Sequence, residues 1–360
     1  MFPFDDDQFA PRNRWYIAAW SDEVSRDPIE RWIMDECVAL YRTQDGNPVA
    51  LDGLCPHHAF PLGKSKVKGD DIVCGYHGLR FGPDGNARSA PFVEKVPTAC
   101  RIKSYPVKEV WKWIWIWPGD PALADESLIP DHFEVGLTDP SLRSVRGLRM
   151  ELEARYQLIN DNLLDLQHVE VLHEGLLGDE GLGRVEEVRE AGPDWVNSSR
   201  YVKNCDLPGG FAKLFGPRKV DREMSMRWHV PGLHVGPDKF MVPEGEPNAG
   251  ELVMMLIAFH AVTPARETTC HYFSTFARSF ELENEGLDQI MLDGWAEVAA
   301  QDKFAAEQIE EKIRAKNGDV QEMLFKSDAH LVAGRRVMER LMDQERSSVS
   351  GRASGKVASA

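Results

Sequence analysis

Between residue 12 and about residue 122 the apolar positions come in short extended runs, RWYIAAW, VALYRTQDGNPVALDG and KEVWKWIWIW, broken by Asp-Gly and Pro-Gly turn signals. That rhythm predicts an all-β domain. In VWKWIWIW the tryptophans at 111, 113, 115 and 117 fall on alternate positions, which predicts one strand face of aromatic core. The polar, proline-containing segment PGDPALADESLIPDHF predicts the domain boundary. Beyond it the periods mix: strands near 145–157, 184–203, 223–236, 250–262 and 267–280, and helices near 159–175, 284–316 and 327–345. The expected organisation is therefore α+β, with domains at 12–122 and 130–345. SSVSGRASGKVASA has no apolar period, so 346–360 is expected to be a disordered tail.

Composition narrows the function. With 360 residues, 42% of them hydrophobic, the chain can build two cores, and a formal charge of −16 argues against nucleic acid or an anionic membrane as its partner. The N-terminal MFPFDDDQFAPRNRW is acidic where a secretory signal is basic, and no apolar run approaches the length of a membrane span. A cytoplasmic protein is expected. Six cysteines are too few for a disulfide framework, which leaves packed thiols or metal ligands.

The stretch CPHHAFPLGKSKVKGDDIVCGYHG bears on that choice. Cys55 and His57 form one short pair, Cys74 and His77 another, and each offers one thiolate and one imidazole from a tight loop. Structural zinc uses comparable spacings, and unrelated packed residues can mimic them. A Rieske [2Fe–2S] centre needs two cysteines on one iron and two histidines on the other, drawn from two like arms, and this pattern matches it best. Gly75 and Gly78 leave backbone amides free to approach sulfur. His58 lies outside the pattern and reads as an exposed loop histidine.

A second chemical signal is DLQHVEVLHE. Its histidines, His168 and His173, are five residues apart, roughly 140° on a regular helix, so they meet one ion only if the helix is deformed or ends there. A distortion such as a π-turn is expected between them. Asp161 and Asp165 stand among leucines and need compensation, for which a neighbouring histidine is the expected partner.

From about residue 12 to about residue 343 the chain resembles the oxygenase component of Rieske non-heme iron oxygenases, in the branch of vanillate and dicamba O-demethylases. The resemblance rests on C-P-H-x16-C-G-Y-H-G and on N-x2-D-x2-H-x4-H, here Asn162, Asp165, His168 and His173. It implies an N-terminal all-β Rieske domain and a helix-grip catalytic domain with an antiparallel sheet and a long C-terminal helix. It implies a [2Fe–2S] cluster on Cys55, His57, Cys74 and His77, and a mononuclear iron on His168 and His173. Asp165 would bridge toward a Rieske histidine of a neighbouring subunit in a head-to-tail homotrimer.

Such an iron takes a carboxylate as its third ligand. In the helix near 284–316 an apolar seam runs Leu287, Met291, Trp295, Val298, Asp302, Ala305, Ile309, Ile313. Asp302 occupies a buried slot there, in the D-K context of the family's third ligand, and a buried acid needs a partner. Trp295, close to the same helix face, and His260, at the end of ELVMMLIAFH, are candidate substrate contacts, with core packing as the alternative for each. Lys64, Lys66 and Lys68 between the cluster arms could dock an acidic electron donor.

The implied activity is that of the terminal oxygenase of a multicomponent monooxygenase. It would use O2 and electrons from NADH through a reductase or ferredoxin to oxidise a small aromatic, foremost by O-demethylation of a methoxy-aromatic acid. N-dealkylation and ring or side-chain hydroxylation are the alternatives within the class. A Rieske electron carrier without oxygenase activity is the alternative outside it.

Overall fold

The computed structural model describes residues 9–178 and 181–355, and its chain divides into two units. Arg12–Ile129 and the short stretch Thr263–Glu267 form the first, Pro130–Val262 and the chain from Thr268 onward the main part of the second.

The first unit is three small antiparallel sheets. One is built from Tyr16–Trp20, Trp113–Ile116 and Val107–Val110; another from Ile29–Ile33, Glu36–Arg42, Pro48–Asp52 and Ser104–Tyr105. The third, Lys66–Lys68, Asp71–Val73, Arg80–Phe81 and Ala87–Ser89, leads into and out of the second cysteine arm. The tryptophan stripe differs from the single strand expected. Trp111 has φ of 57° and belongs to the turn after Val107–Val110, because the chain reverses there into Trp113–Ile116. Ile114 and Ile116 are as buried as Trp113 and Trp115, so this strand is covered on both faces. The polar connection is also folded: Asp120 and Asp125 cap two 3-10 turns, and Trp15 Nε1 donates to the Asp125 carbonyl at 2.8 Å.

In the second unit eight antiparallel strands form one sheet, ordered Arg143–Ser144, Thr269–Arg278, Leu252–Arg266, Leu233–Met241, Lys219–His229, Trp195–Asp206, Val188–Ala191, with Leu148–Leu152 also paired to Thr269–Arg278. Two expected strands are hairpins. The run near 184–203 turns at Gly192, where a Cβ would collide with the Trp195 ring, and the run near 223–236 turns between His229 and Leu233.

Five α-helices accompany the sheet among the described residues: α1 Tyr156–Leu164, α2 His168–Leu172, α3 Gly209–Phe215, α4 Glu285–Ala315 and α5 Ala329–Gly355. Asn284 caps α4 by accepting from Leu287 N. The helix packs against Leu148–Leu152 and Thr269–Arg278, while α5 packs against Trp195–Asp206. None of these helices is long and apolar enough to cross a membrane.

The buried seam of α4 follows expectation from Leu287 to Asp302 and then drifts to Ala306, Glu310 and Ile313. Ile309, expected inside, is 51% exposed, because the expected seam steps three residues from Asp302 to Ala305 where the buried face steps four, to Ala306. Glu310 is therefore a second buried acid, and Arg155 holds it through Nε at 2.6 Å and Nη2 at 3.0 Å. The expected tail is corrected as well: α5 runs on through Gly355, since no proline interrupts it and elongation adds a hydrogen bond per residue. The remainder of that tail, 356–360, lies outside the described residues.

Candidate metal centres

The two cysteine arms have one backbone pattern. Cys55 N–H donates to the Phe60 carbonyl and Ala59 N–H to the Cys55 carbonyl; Cys74 N–H donates to the Leu79 carbonyl and Gly78 N–H to the Cys74 carbonyl. Ala59 (φ 53°) and Gly78 (φ 77°) occupy the same left-handed position, so one arm spends a glycine there and the other strains an alanine. Both cysteines are buried and both histidines lie toward solvent, with ring centroids 4.8 Å apart. Burial pushes the Cys55 thiol up to about 11, opposed by the His57 amide and reinforced by the Cys74 sulfur beside it. Paired thiols and paired imidazoles on two like loops suit a binuclear cluster. Gly75 does not contribute a free amide, since Ser65 Oγ accepts from it at 3.1 Å. His58 is exposed as expected, but its ring also joins the cluster of His57 and His77, 4.1 Å from the former.

The second centre lies in the second unit. The expected helix near 159–175 is two: α1 stops at Leu164, Asp165 is extended (φ −83°, ψ 101°), and α2 begins at His168. His173 is the residue just after α2 and has left helical geometry (φ −106°, ψ 28°). No π-turn separates the two histidines; the early end of α2 frees His173 to turn toward His168. Their Nε2 atoms are 3.2 Å apart, and Asp302 Oδ1 on α4 lies 3.2 Å from that of His173 and 3.5 Å from that of His168. Ligands at about 2.1 Å and right angles around one ion lie roughly 3 Å apart, so the triangle fits a single metal.

Asp302 is 2% exposed, and its Oδ1 makes no well-aligned hydrogen bond. Burial alone would raise its carboxyl, but His168 and His173 hold it well below the usual carboxylate range. Glu310, two turns later, shows the contrast: it has an arginine, whereas the groups facing Asp302 are imidazoles. Two imidazoles and one carboxylate turned toward a common point form the kind of donor set that suits a non-heme iron.

Both imidazoles are oriented from behind. His168 Nδ1 donates to the Asp165 backbone carbonyl, and His173 Nδ1 donates to Gln301 Oε1 at 2.7 Å. Asp165 caps Gln167 N through its carboxylate, and His330 Nε2 is 3.7 Å from it. His330 is fully buried, with Nδ1 2.9 Å from Glu187. Asp161 is compensated by Arg335 of α5, at 3.0 and 2.6 Å, and not by a histidine. Asn162 Oδ1 is buried without a hydrogen bond. Gln301, His330 and Arg335 were not singled out from sequence, because polar residues on amphipathic helices carry no pattern that says which way they point.

Beside this triangle His260 stacks on Trp295, centroids 5.6 Å apart. Ser274 Oγ accepts from Trp295 Nε1 at 2.7 Å and lies 2.9 Å from His260 Nδ1, with Tyr272 OH at 2.6 Å from the same nitrogen. Burial holds His260 down to about 4, so the ring is neutral. Nδ1 is thus engaged by two hydroxyls, while no such partner is seen at Nε2 among the described residues. Trp295 also lines an apolar cavity of about 320 Å3, with Leu177, Phe211, Leu256, Met291 and Val298.

Residues 14–106 match the Rieske [2Fe-2S] domain, and residues 152–344 match the vanillate O-demethylase oxygenase C-terminal domain. The iron-sulfur subunit of the toluene-4-sulfonate monooxygenase system of Comamonas testosteroni is 34% identical, over 93% of this chain and 97% of that one. The oxygenase component of dicamba O-demethylase of Stenotrophomonas maltophilia is 33% identical, over 84% and 88%. A crystal structure of dicamba monooxygenase bound to 3,6-dichlorosalicylic acid superposes with a TM-score of 0.85 at 32% identity, covering 93% of this chain and 98% of that one. With both domains matched along its length, the chain belongs to the Rieske non-heme iron monooxygenases, as an oxygenase component of the vanillate and dicamba O-demethylase branch.

Proposed function

We propose that this oxygenase component removes the methyl group of a methoxy-aromatic acid, with Cys55, His57, Cys74 and His77 holding the [2Fe–2S] cluster and His168, His173 and Asp302 the mononuclear iron. The observation that carries the reading is the His168–His173–Asp302 triangle; Val298 and Trp295, one and two turns before Asp302 on α4, line an apolar cavity of about 320 Å3. When bound, the two groups supply electron delivery and O2 activation. The net change is substrate–O–CH3 plus O2, two electrons and two protons giving substrate–O–CH2OH and water; the hemiacetal then breaks into a phenol and formaldehyde.

The chain's residues have separable parts in this. Asp302 contributes the one negative charge of the ligand set, and His168 and His173 present Nε2 lone pairs because their Nδ1 protons are engaged. Trp295, Met291 and Val298 exclude water and seat an aromatic ring. His260, stacked on Trp295, leaves Nε2 for a carboxylate or ether oxygen, and Lys213, which lines the cavity, supports an anionic substrate. Asp165 and Asn162 serve the electron path between subunits. A head-to-tail homotrimer is supported by exposed apolar side chains on linked segments, Val171 on α2 and Met323 and Phe325, joined through Gln167 Nε2 to the Ser327 carbonyl.

The partners are an NADH-dependent reductase, a ferredoxin or both, acting in the cytoplasm. Lys64, Lys66 and Lys68 are exposed beside the second cysteine arm and supply a positive face for an acidic donor on an otherwise acidic protein. Reversing all three charges should slow cluster reduction and remove its salt dependence; an unchanged rate would eliminate this docking face.

The similarity to an iron-sulfur subunit of a toluene-4-sulfonate monooxygenase system favours a second reading, ring or side-chain hydroxylation. A substrate panel with the cognate reductase separates the two, since only demethylation releases formaldehyde. Anaerobic analysis should find about three irons and about two acid-labile sulfides per chain. About two irons would reduce the protein to an electron carrier.

A further inference from the structure

We infer that Gln301 is a positioning residue for the mononuclear centre, selecting the tautomer in which His173 can bind metal. The inference rests on the iron-site reading above and deepens it. His173 is 2% exposed, so water does not set the proton on its ring; the neighbours of Nδ1 do. Its hydrogen-bond partner is Gln301 Oε1, at 2.7 Å. A carbonyl oxygen only accepts, so Nδ1 keeps the proton and Nε2 turns a lone pair toward Asp302 Oδ1 and His168 Nε2, each 3.2 Å away. Were the amide reversed, its NH2 would demand the Nδ1 lone pair. The ring proton would then move to Nε2, into the middle of the triangle, where it would exclude a cation.

The two histidines differ in how this control is encoded. For His168 the acceptor is the backbone carbonyl of Asp165, which no side-chain replacement removes. For His173 it is one side chain, adjacent in sequence to Asp302, so a single turn of α4 delivers both a ligand and the group that orients a second ligand. An amide orients the ring without adding a second negative charge to the site. A carboxylate there would orient it equally and make the imidazole a stronger donor.

The test uses the purified full chain with its cluster retained, the mononuclear site emptied by a mild chelator and titrated anaerobically with Co(II). The readouts are its ligand-field absorption and an equilibrium dissociation constant. Gln301→Leu, and Gln301→Met as an alternative of similar shape, should weaken Co(II) binding by about 10–100-fold. Gln301→Glu should bind at least as tightly as the parent. Cluster absorption and the melting temperature of the metal-free form should be the same in all of them, which a merely structural role would not give. Parental affinity in the leucine and methionine variants, or a glutamate variant as weak as they are, overturns the inference. A parent that binds Co(II) no better than Asp302→Ala overturns the site reading itself.

Discussion

At the cysteine arms the imidazoles of His57 and His77 are exposed to solvent on tight loops, whereas His173 and Asp302 are each 2% exposed and are carried by a helix end and a helix. The first arrangement is fixed by the backbone, through two matching loops each five residues from cysteine to closing carbonyl. The second is fixed by side chains reaching across the fold: Gln301 to His173, Arg155 to Glu310, Arg335 to Asp161. The difference follows the chemistry. An electron-transfer centre gains from a surface that a partner can approach, while an oxygen-activating centre needs dry walls and ligands held before the reaction begins.

The largest effects should come from removing ligands, and they should be independent of each other. Asp302→Ala should lower turnover well beyond the ~100-fold typical of outer-shell changes while leaving the visible spectrum of the cluster intact. Cys55→Ser should abolish that spectrum while Co(II) still binds at the second centre; loss of both centres in either variant would mean they are not separate.

Next in size is the contrast between the two buried acids of α4. Arg155→Met removes the closer of the two arginines on Glu310, leaving Arg314 Nε at 3.8 Å, and should cost about 3 kcal/mol in urea unfolding. Asp302→Asn should cost the metal-free protein far less, because no arginine loses its partner. Equal losses would mean that Asp302 is a structural acid like Glu310.

A smaller effect should appear with pH. Burial holds His260 down to about 4, and His234 is also well below its ordinary value, against roughly 6.5 in an unfolded chain. Protons then bind the unfolded state first. Stability should be whole above about pH 6.5 and fall by a few kcal/mol as pH drops toward 4. His260→Gln should flatten that decline, as followed by urea midpoints at pH 7.5 and 5.

The smallest effect tests the loops. Ala59 has φ of 53° where the matching arm has Gly78, so Ala59→Gly should stabilise the first unit by about 0.5–1 kcal/mol, read as a small rise in melting temperature.

Much of this was legible in the chain. The C-P-H and C-G-Y-H loops could be read because their ligands are close in sequence and the backbone alone brings each pair together. Asp302 could be read from the period of one helix, since a charged residue in a buried slot violates a strong rule. The same rule does not reach Glu310, because a three-residue step from Asp302 to Ala305 carries the seam to Ile309, one residue short of the buried position. Trp111 was misread for a related reason: alternation does not record a reversal of direction, and the turn there uses no glycine.

The sequence by itself therefore determined which residues could bind metal, that the chain has a β unit and a mixed unit, and which family it belongs to. Folding decided which side chains stand behind them. Gln301, His330 and Arg335 are polar residues on helical faces and Arg155 stands just before α1, and their roles depend on contacts between residues 128 to 174 positions apart in the chain, with the separation for His330 and Asp165 falling in the same range. Local periodicity reports only which face of an element is covered. Which polar group meets which across the core is set by packing, and no local pattern encodes it.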